Sequence, residues 1–276
     1  MTYTSLMVHL LPGESNASVL KITADLARRF QARVIGIGAC RLIQPLYNDV
    51  YVPSELIDEE RDRIEKELLA AKAELYNALA GNAGGVEWRS AIPYGLLSDY
   101  VLQEARCADL LITGLDPKLS GLDGARHVSA GDLALQAGRP LLVVPAGIDK
   151  LALDHVVIGW KDTRETRRAV ADALPFLKSA AKVTVIEIAP KEGLDSAHAR
   201  LKDVAGWLRR HGIEAEPLAR PAIGDDAKQL GKFAQETKTD LLVAGAYGHS
   251  RLREWIFGGV TQDLLLAPGG CALVSH

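Results

Sequence analysis

A glycine-rich segment at residues 245–261 has the residue types and the spacing of a site for an anionic group. It follows an apolar, strand-like run, and its first glycine is able to take a positive φ. After a basic stretch, two glycines open a helix-like segment, where unpaired backbone N–H groups and the helix dipole favour an anion. The segment therefore predicts a phosphate-binding loop with these candidate contacts: Gly245, Gly248, Gly258, Gly259, Val260 and Thr261.

Other chemistry at this segment fails on spacing. Gly248-His-Ser250 resembles the start of a hydrolase nucleophile elbow, but Leu252 stands where the last glycine belongs, and too few residues follow for an acid and a histidine. No complete dinucleotide-binding or Walker pattern occurs. The glycines could also serve turns alone. The basic side chains between them could be phosphate partners or a solvated turn: His249, Arg251 and Arg253.

Composition limits the wider function. The 276 residues carry a net charge of -3, which gives no basic field for nucleic acid. No apolar run reaches the roughly 18 residues of a membrane helix, and the first residues lack the charged start of a signal peptide, so we expect a cytoplasmic protein with no membrane contact. Neither the histidines nor the cysteines have metal-ligand spacing. Three cysteines are expected to be small buried or half-buried apolar residues: Cys40, Cys107 and Cys271.

The chain contains an internal repeat. Residues 108–114 and 239–245 superpose at an offset of 131, and the match continues to residues 140–144 and 271–275. The starts agree as well, since residues 6–10 match residues 156–160. The sequence therefore predicts a tandem duplication.

Each repeat alternates strands with helices. Continuous apolar strands in this order predict a parallel sheet with helices on both faces, and such sheets bind ligands beyond the carboxyl ends of their strands. An insertion at residues 42–55 is either a lid or partner surface, or a solvated connecting loop, and a long charged helix follows it to about residue 80. The predicted strands are 5–11, 34–39, 87–92, 110–113, 141–144, 154–160, 182–188, 214–219, 240–245 and 271–275.

The Gly245, Gly248, Gly258 spacing and the duplication together resemble the universal stress protein family in its tandem form. The resemblance implies an α/β protein of two tandem flavodoxin-like (adenine nucleotide alpha hydrolase-like) domains, each with a five-stranded parallel sheet. The domains would span residues 1–146 and 154–276. They would pair through their last strands as an internal pseudo-dimer, and pairing of whole chains into a homodimer is left open.

The resemblance also implies ATP as the ligand, with or without Mg²⁺. Asp162, which follows Trp160 and Lys161, would lie beside the nucleotide, and the backbone of the second strand, at Val185, Ile186 and Glu187, would contact the adenine. Asp162 would equally suit a helix N-cap. One position departs from the family pattern, because Gly259 stands where ATP-binding members usually carry Ser or Thr; Thr261 could supply the hydroxyl instead.

The first repeat departs further. Pro117, His127 and Val128 fall on Gly248, Gly258 and Gly259, and Pro12 falls on Asp162, so we expect one nucleotide per chain, bound by the second half. Three hypotheses follow: a stress-response protein that binds an adenine nucleotide and signals through its pairing with partners, an interaction scaffold that has lost nucleotide binding, and a slow ATPase. No residue near the loop stands out as a general base, so no catalytic residue is predicted.

Overall fold

The chain folds into one ten-stranded sheet with helices on both faces, as seen in a computed structural model that describes residues 2–42, 53–115, 126–246 and 270–276. The first half contributes five strands: β1 (Ser5–Leu10), β2 (Arg33–Ala39), β3 (Val86–Ala91), β4 (Leu110–Leu115) and β5 (Leu141–Pro145). Its helices are α1 (Ala17–Phe30), α2 (Ser54–Ala78), α3 (Leu97–Glu104) and α4 (Ala130–Gln136).

The second half repeats this order. Its strands are β6 (His155–Gly159), β7 (Lys182–Ala189), β8 (Ala215–Pro221), β9 (Leu241–Gly245) and β10 (Cys271–Ser275). Its described helices are α5 (Arg164–Asp172), α6 (Leu174–Leu177), α7 (Leu194–Arg210) and α8 (Asp226–Glu236).

The strand order is β3-β2-β1-β4-β5-β10-β9-β6-β7-β8. Every neighbouring pair is parallel except β5 and β10, which are antiparallel and place Leu273 opposite Leu142. The expected contact between these two strands is therefore present, and the α/β fold class is confirmed. The chain reverses direction only here, so each half is a five-stranded parallel sheet of the same internal order.

Alternate side chains of each strand enter different cores. On β1, Leu6 and Val8 pack into a cluster that extends through both halves, whereas Met7 packs on the other face with Val143 and Ala246. Ala246 belongs to the second half but is buried in a cluster drawn mainly from the first half. The hydroxyl of Tyr3 donates a hydrogen bond to the carbonyl of Asp172, at 2.5 Å. Packing thus joins the two halves on both faces of the sheet.

Two expectations need correction. The single helix expected from Arg164 to Lys178 divides at Ala173 into α5 and α6, because Pro175 has no N–H to continue the ladder. Cys107 is exposed, whereas Cys40 and Cys271 are buried as expected. Residues 43–52 of the insertion at 42–55 and the helix expected after Gly259 lie outside the described residues.

Within the described ranges, no helix is long and apolar enough to cross a membrane. The same ranges contain no group of three or more His, Cys, Asp or Glu side chains arranged to hold a metal ion.

Candidate functional site

A cleft of about 250 Å³ lies beyond the carboxyl ends of β6 and β7. Three segments form its walls: the turn between β6 and α5, the end of β7 with the residues after it, and the first turns of α7. Its lining residues are Lys161, Asp162, Thr163, Glu187, Ile188, Ala189, Pro190, Gly193, Ser196 and Arg200. The cleft therefore lies where open α/β sheets bind their ligands, and three of the predicted contacts, Lys161, Asp162 and Glu187, line it.

The turn after β6 is fixed by Thr163. This residue is the N-cap of α5, and its hydroxyl accepts a hydrogen bond from the N–H of Thr166 at 3.3 Å. Capping by Asp162, the alternative role considered for that residue, is therefore wrong. Asp162 is exposed, and its carboxylate accepts a hydrogen bond from the guanidinium of Arg167 at 2.6 Å. The carboxylate lies at the cleft and contacts α5 through Arg167, but it does not cap the helix.

Charged groups of both signs surround the cleft, and each is paired. The buried carboxylate of Glu187 accepts two hydrogen bonds from Arg200, at 2.5 and 3.3 Å, and this contact raises the pKa of Arg200 above its ordinary value. Lys161 forms an ion pair with Asp226 at 2.8 Å. The paired charges leave little net field at the cleft wall, which suits a polar but uncharged group better than an isolated anion.

Three predicted contacts lie deeper than the cleft. Trp160 is 8% exposed, and its backbone N–H donates to the carbonyl of Ile186 at 2.7 Å. Val185 and Ile186 are buried inside β7, which pairs with β6 on one side and β8 on the other. None of the three lines the cleft, whose β7 wall begins one residue later at Glu187.

Gly245 ends β9, and its backbone is not in the left-handed region. The expectation of a positive φ is therefore wrong, and close packing explains the glycine instead. A Cβ at this position would lie 2.4 Å from the backbone nitrogen of Thr166 and 2.6 Å from the carbonyl carbon of Glu165. The remaining loop residues lie outside the described part of the chain: Gly248, Gly258, Gly259, Val260 and Thr261.

Ala246, which follows β9, is held by hydrogen bonds to the last two residues of the chain. The N–H of Ala246 donates to the carbonyl of Ser275 at 2.7 Å, and the carbonyl of Ala246 lies 3.0 Å from Nδ1 of His276. Ala246 therefore lies beside β10, and it directly follows Gly245, which packs against the start of α5.

The equivalent position of the first half is filled by the protein itself. Gly13, which matches Thr163 in the repeat, has the Glu67 carboxylate 3.2 Å from where its Cβ would be. Arg126 bonds this carboxylate at 2.5 Å and that of Glu60 at 3.3 Å. Burial acts to lower the pKa of Arg126, but the hydrogen bond and the charge of Glu67, together with the charge of Glu60, raise it further than burial lowers it. Val128, which matches Gly259, is buried against Leu133 and Val143. Side chains thus fill the position in the first half that corresponds to the cleft of the second half.

Sequence reasoning missed the wall contributed by α7. Gly193, Ser196 and Arg200 recur at helical spacing, but nothing along the sequence relates them to the turn at Asp162. One signal was available, because Glu187 interrupts an apolar strand and a carboxylate there needs a partner. Arg200, thirteen residues later, is that partner.

No protein-family model matches this chain, and no curated protein matches it. Solved structures do. A universal stress protein from Archaeoglobus fulgidus DSM 4304 superposes with a TM-score of 0.76 at 13% identity, covering 98% of this chain and 95% of the other. The chain has the universal stress protein fold. The resemblance seen in the sequence is therefore confirmed at the level of the fold.

Two further chains with this fold come from Pseudomonas aeruginosa. One, from strain UCBPP-PA14 and named as a candidate universal stress protein, has a TM-score of 0.64 at 14% identity, over 99% of this chain and 93% of that one. The other, a functionally unknown protein from strain PAO1, has a TM-score of 0.60 at 14% identity, over 99% and 92%. Because each match covers both chains almost fully, the universal stress protein fold extends over both halves of the sheet.

Proposed function

We propose that this chain is a universal stress protein of two domains, 1–146 and 154–276, that binds one adenine nucleotide, ATP, in the second. The domains act as an internal pseudo-dimer joined through β5 and β10, and nucleotide binding regulates how the pair meets its partners. One observation carries the proposal: an open cleft lies beyond β6 and β7 of the second half, while Glu67 and Arg126 fill its counterpart in the first.

The cleft suits a nucleoside. Its volume of about 250 Å³ is slightly below the roughly 300 to 1,000 Å³ of sites for drug-sized ligands, so it fits a base with its ribose and leaves the phosphates outside. Apolar atoms of Ile188, Ala189 and Pro190 offer a wall for the flat base. Asp162, at the mouth, is free to accept hydrogen bonds from ribose hydroxyls after exchanging its contact with Arg167.

The base contact is reassigned in this proposal. Val185 and Ile186 are buried and paired on both sides within the sheet, so their backbone is not free for a ligand. The residues after them line the cleft, and β6 pairs with β7 as far as Ile186, so we assign the contact to the backbone of Ile188. The phosphates are assigned, from sequence alone, to the segment that contains Gly248, Gly258, Gly259, Val260 and Thr261.

The proposal is tested by calorimetric titration of ATP, with and without Mg²⁺, into the parent and two tryptophan variants. Ser196→Trp places bulk in the cleft from an exposed position of α7, and Ala199→Trp adds the same bulk to an exposed position outside the lining. We expect one site per chain, an affinity at least about tenfold weaker in Ser196→Trp, and parent affinity in Ala199→Trp. Two sites, or equal affinity in all three proteins, would contradict the assignment.

A second arm distinguishes the scaffold hypothesis. Mass spectrometry of small molecules released from the denatured, purified protein is expected to detect a retained adenine nucleotide. A protein that retains none, shows no heat of binding and gains no thermal stability with excess ATP acts without a nucleotide. Release of inorganic phosphate from ATP, measured in the same samples, tests the slow ATPase.

A further inference from the structure

The ten-stranded sheet has two outer strands, β3 at one end and β8 at the other. In the described part of the chain, no strand pairs with the outer side of either. Exposed N–H and C=O groups on such an edge are a template for pairing with another strand, and proteins usually block them. The two edges differ in whether they are blocked.

The β8 edge carries prolines at outward-facing positions. The N–H of Ala222 donates inward, to the carbonyl of Ala189 on β7. Because inward and outward groups alternate along a strand, residues 217, 219 and 221 direct their backbone groups outward. Two of these are Pro217 and Pro221, which have no N–H to offer.

The β3 edge has no such block. The carbonyls of Gly85 and Ala91 accept hydrogen bonds from β2, so odd-numbered residues face inward. Val86, Trp88 and Ser90 therefore direct their N–H and C=O groups outward, and none of them is proline. All three outward positions of this strand are able to donate and accept.

The exposed large apolar side chains are concentrated in the same half of the sheet as β3. Seven large apolar side chains are exposed among the described residues, and six of them belong to the first half, on α2 and on the connection between β3 and α3. Ile223 is the one in the second half. The six are Leu56, Ile57, Leu69, Tyr76, Tyr94 and Leu96.

Helix geometry directs two of these side chains past β3. Leu68 and Leu75 are the buried face of α2, and Glu67 and Glu74, one residue earlier, face Gly13 and Asn16 at the start of α1. Each residue of an α-helix is rotated by about 100° about the helix axis from the one before it. The residues that follow Leu68 and Leu75 therefore lie on the opposite side of the buried face from Glu67 and Glu74. Leu69 and Tyr76, at 63% and 42% exposure, therefore lie on the side away from α1, where the sheet ends.

The charged residues of one β3 strand complement those of a second copy of the same strand. If two copies of the strand pair antiparallel with Trp88 opposite Trp88, Glu87 of each copy lies opposite Arg89 of the other, on one face of the sheet. Opposite charges at directly facing positions stabilise a strand pair, and like charges destabilise it. The same arrangement makes Val86, Trp88 and Ser90 the hydrogen-bonded residues, which matches their outward groups.

We propose that two copies of this chain form a homodimer by antiparallel pairing of their β3 strands, with the two-fold axis at Trp88. The two sheets then continue into one another. A two-fold axis perpendicular to the sheet puts both α2 helices on the same face, so Leu69 and Tyr76 of one copy meet those of the other. This surface is separate from the cleft of the second half, so it does not depend on nucleotide binding.

The first test is the molar mass in solution, by light scattering after size-exclusion chromatography. We expect twice the 29.7 kDa chain mass for the parent. The double variant Leu69→Glu/Tyr76→Glu changes exposed helix positions only, and we expect its dissociation constant to rise roughly 30-fold or more. Ile223→Glu is the matched control at the other edge and should stay dimeric. A monomeric parent, a dimeric double variant or a monomeric control overturns the proposal.

Charge exchange tests the register. Arg89→Glu sets like charges opposite each other at two places, so the dimer should weaken. Glu87→Arg/Arg89→Glu restores both attractions and should recover it. Inside one chain, Glu87 pairs with Arg33 and with Arg89, and Arg89 also pairs with Glu104. The single variant sets like charges at two of these contacts, and the double variant restores the contact between positions 87 and 89 but sets like charges at the other two. A purely internal effect therefore predicts no gain from the double variant over the single one, and a double variant that does not recover the dimer would reject the register.

Proline exchange tests the backbone contact. Ser90 is exposed and its N–H faces outward. Ser90→Pro therefore gives β3 an outward-facing proline without an N–H, as β8 already has. We expect a monomer with the parent's circular dichroism spectrum. Ala219→Pro, at an outward position of β8, should remain a dimer, and loss of the dimer in both variants would contradict pairing through β3.

Discussion

The two halves of the sheet share a strand order but differ at the turn that follows the first strand of each. After β6, Thr163 caps a helix and leaves Asp162 at an open cleft. After β1, Pro12 is buried, and Glu67 lies against Gly13 with Arg126 bound to it. The strands, whose residues pack against each other, are alike in the two halves, whereas the turns differ. Packing therefore constrains the residues of the strands more tightly than it constrains the turn that follows them.

The same contrast holds at the end of the fourth strand of each half. Gly245 is in contact with the backbone at the start of α5, whereas Gly114, its match in the repeat, has no atom of the described residues within 4 Å of its would-be Cβ. His9 occupies the position of Gly159 and is buried against Thr113. The two halves thus differ in the side chains that surround matching positions, and each difference can be tested by substitution.

The largest effect is expected from a substitution in β10, which tests whether the two halves unfold independently. Leu273 is fully buried and pairs with Val243 and Leu142. Leu273→Pro should lower the free energy of unfolding by at least about 3 kcal/mol, since it removes a ladder hydrogen bond in the middle of a sheet. In urea titrations followed by circular dichroism, both halves should lose stability together. Separate melting, with the first half unchanged, would show that β5 and β10 do not couple them.

A matched pair of alanine variants sharpens the comparison of glycines. Gly245→Ala forces a Cβ against the backbone of Thr166, and we expect a loss of about 2 to 3 kcal/mol in the free energy of unfolding. Gly114→Ala meets no atom of the described residues within 4 Å and should cost less than about 1 kcal/mol. Urea denaturation of the two variants and the parent measures both values. Equal losses would mean that the close approach at Gly245 is not what requires glycine.

The buried histidine predicts an acid sensitivity that belongs to the first half. Burial, with a further contribution from His127, lowers the pKa of His9 to about 4. Below its ordinary pKa of about 6.5 the unfolded chain takes up a proton that the folded chain does not, so stability falls with pH between 6.5 and 4. By pH 5 the parent should lose about 2 kcal/mol more than His9→Gln. Equal losses in urea titrations at pH 7 and pH 5 would exclude this cause.

The smallest expected effect concerns the ion pairs beside the two turns. Arg126→Ala leaves Glu60 and Glu67 half-buried without their partner and should cost about 1 to 2 kcal/mol. Lys161→Ala breaks an exposed pair with Asp226 and should cost at most about 0.5 kcal/mol. Arg126→Ala should still bind one ATP per chain, because Pro12 and Val128 remain. A second ATP in calorimetric titration would mean that Arg126 alone keeps the first half closed.

The positions of the strands could be predicted well from the sequence, because strand formation depends on local patterns of residue types. Continuous apolar runs marked the inner strands, the mixed outer strands β3 and β8 were also predicted within two residues, and the offset between residues 108–114 and 239–245 revealed the duplication. Pro175 shows the limit of periodicity, since the apolar stripe continues through it while the hydrogen-bond ladder stops. The cleft was predicted only in part. Asp162 came from the resemblance to the universal stress protein family, but Arg200 and Ser196 reach the site through tertiary packing, which no local pattern encodes.

The antiparallel seam between β5 and β10 has a consequence for synthesis on the ribosome. β5 is a fully buried apolar strand, Leu141–Pro145, and the strand that covers its edge begins only at Cys271. At roughly 5 to 20 residues per second, the intervening chain takes about 6 to 25 seconds to be made. During that interval the nascent first half displays a short, uncharged, β-prone edge, the kind of segment that chaperones shield and that neighbouring nascent chains can capture.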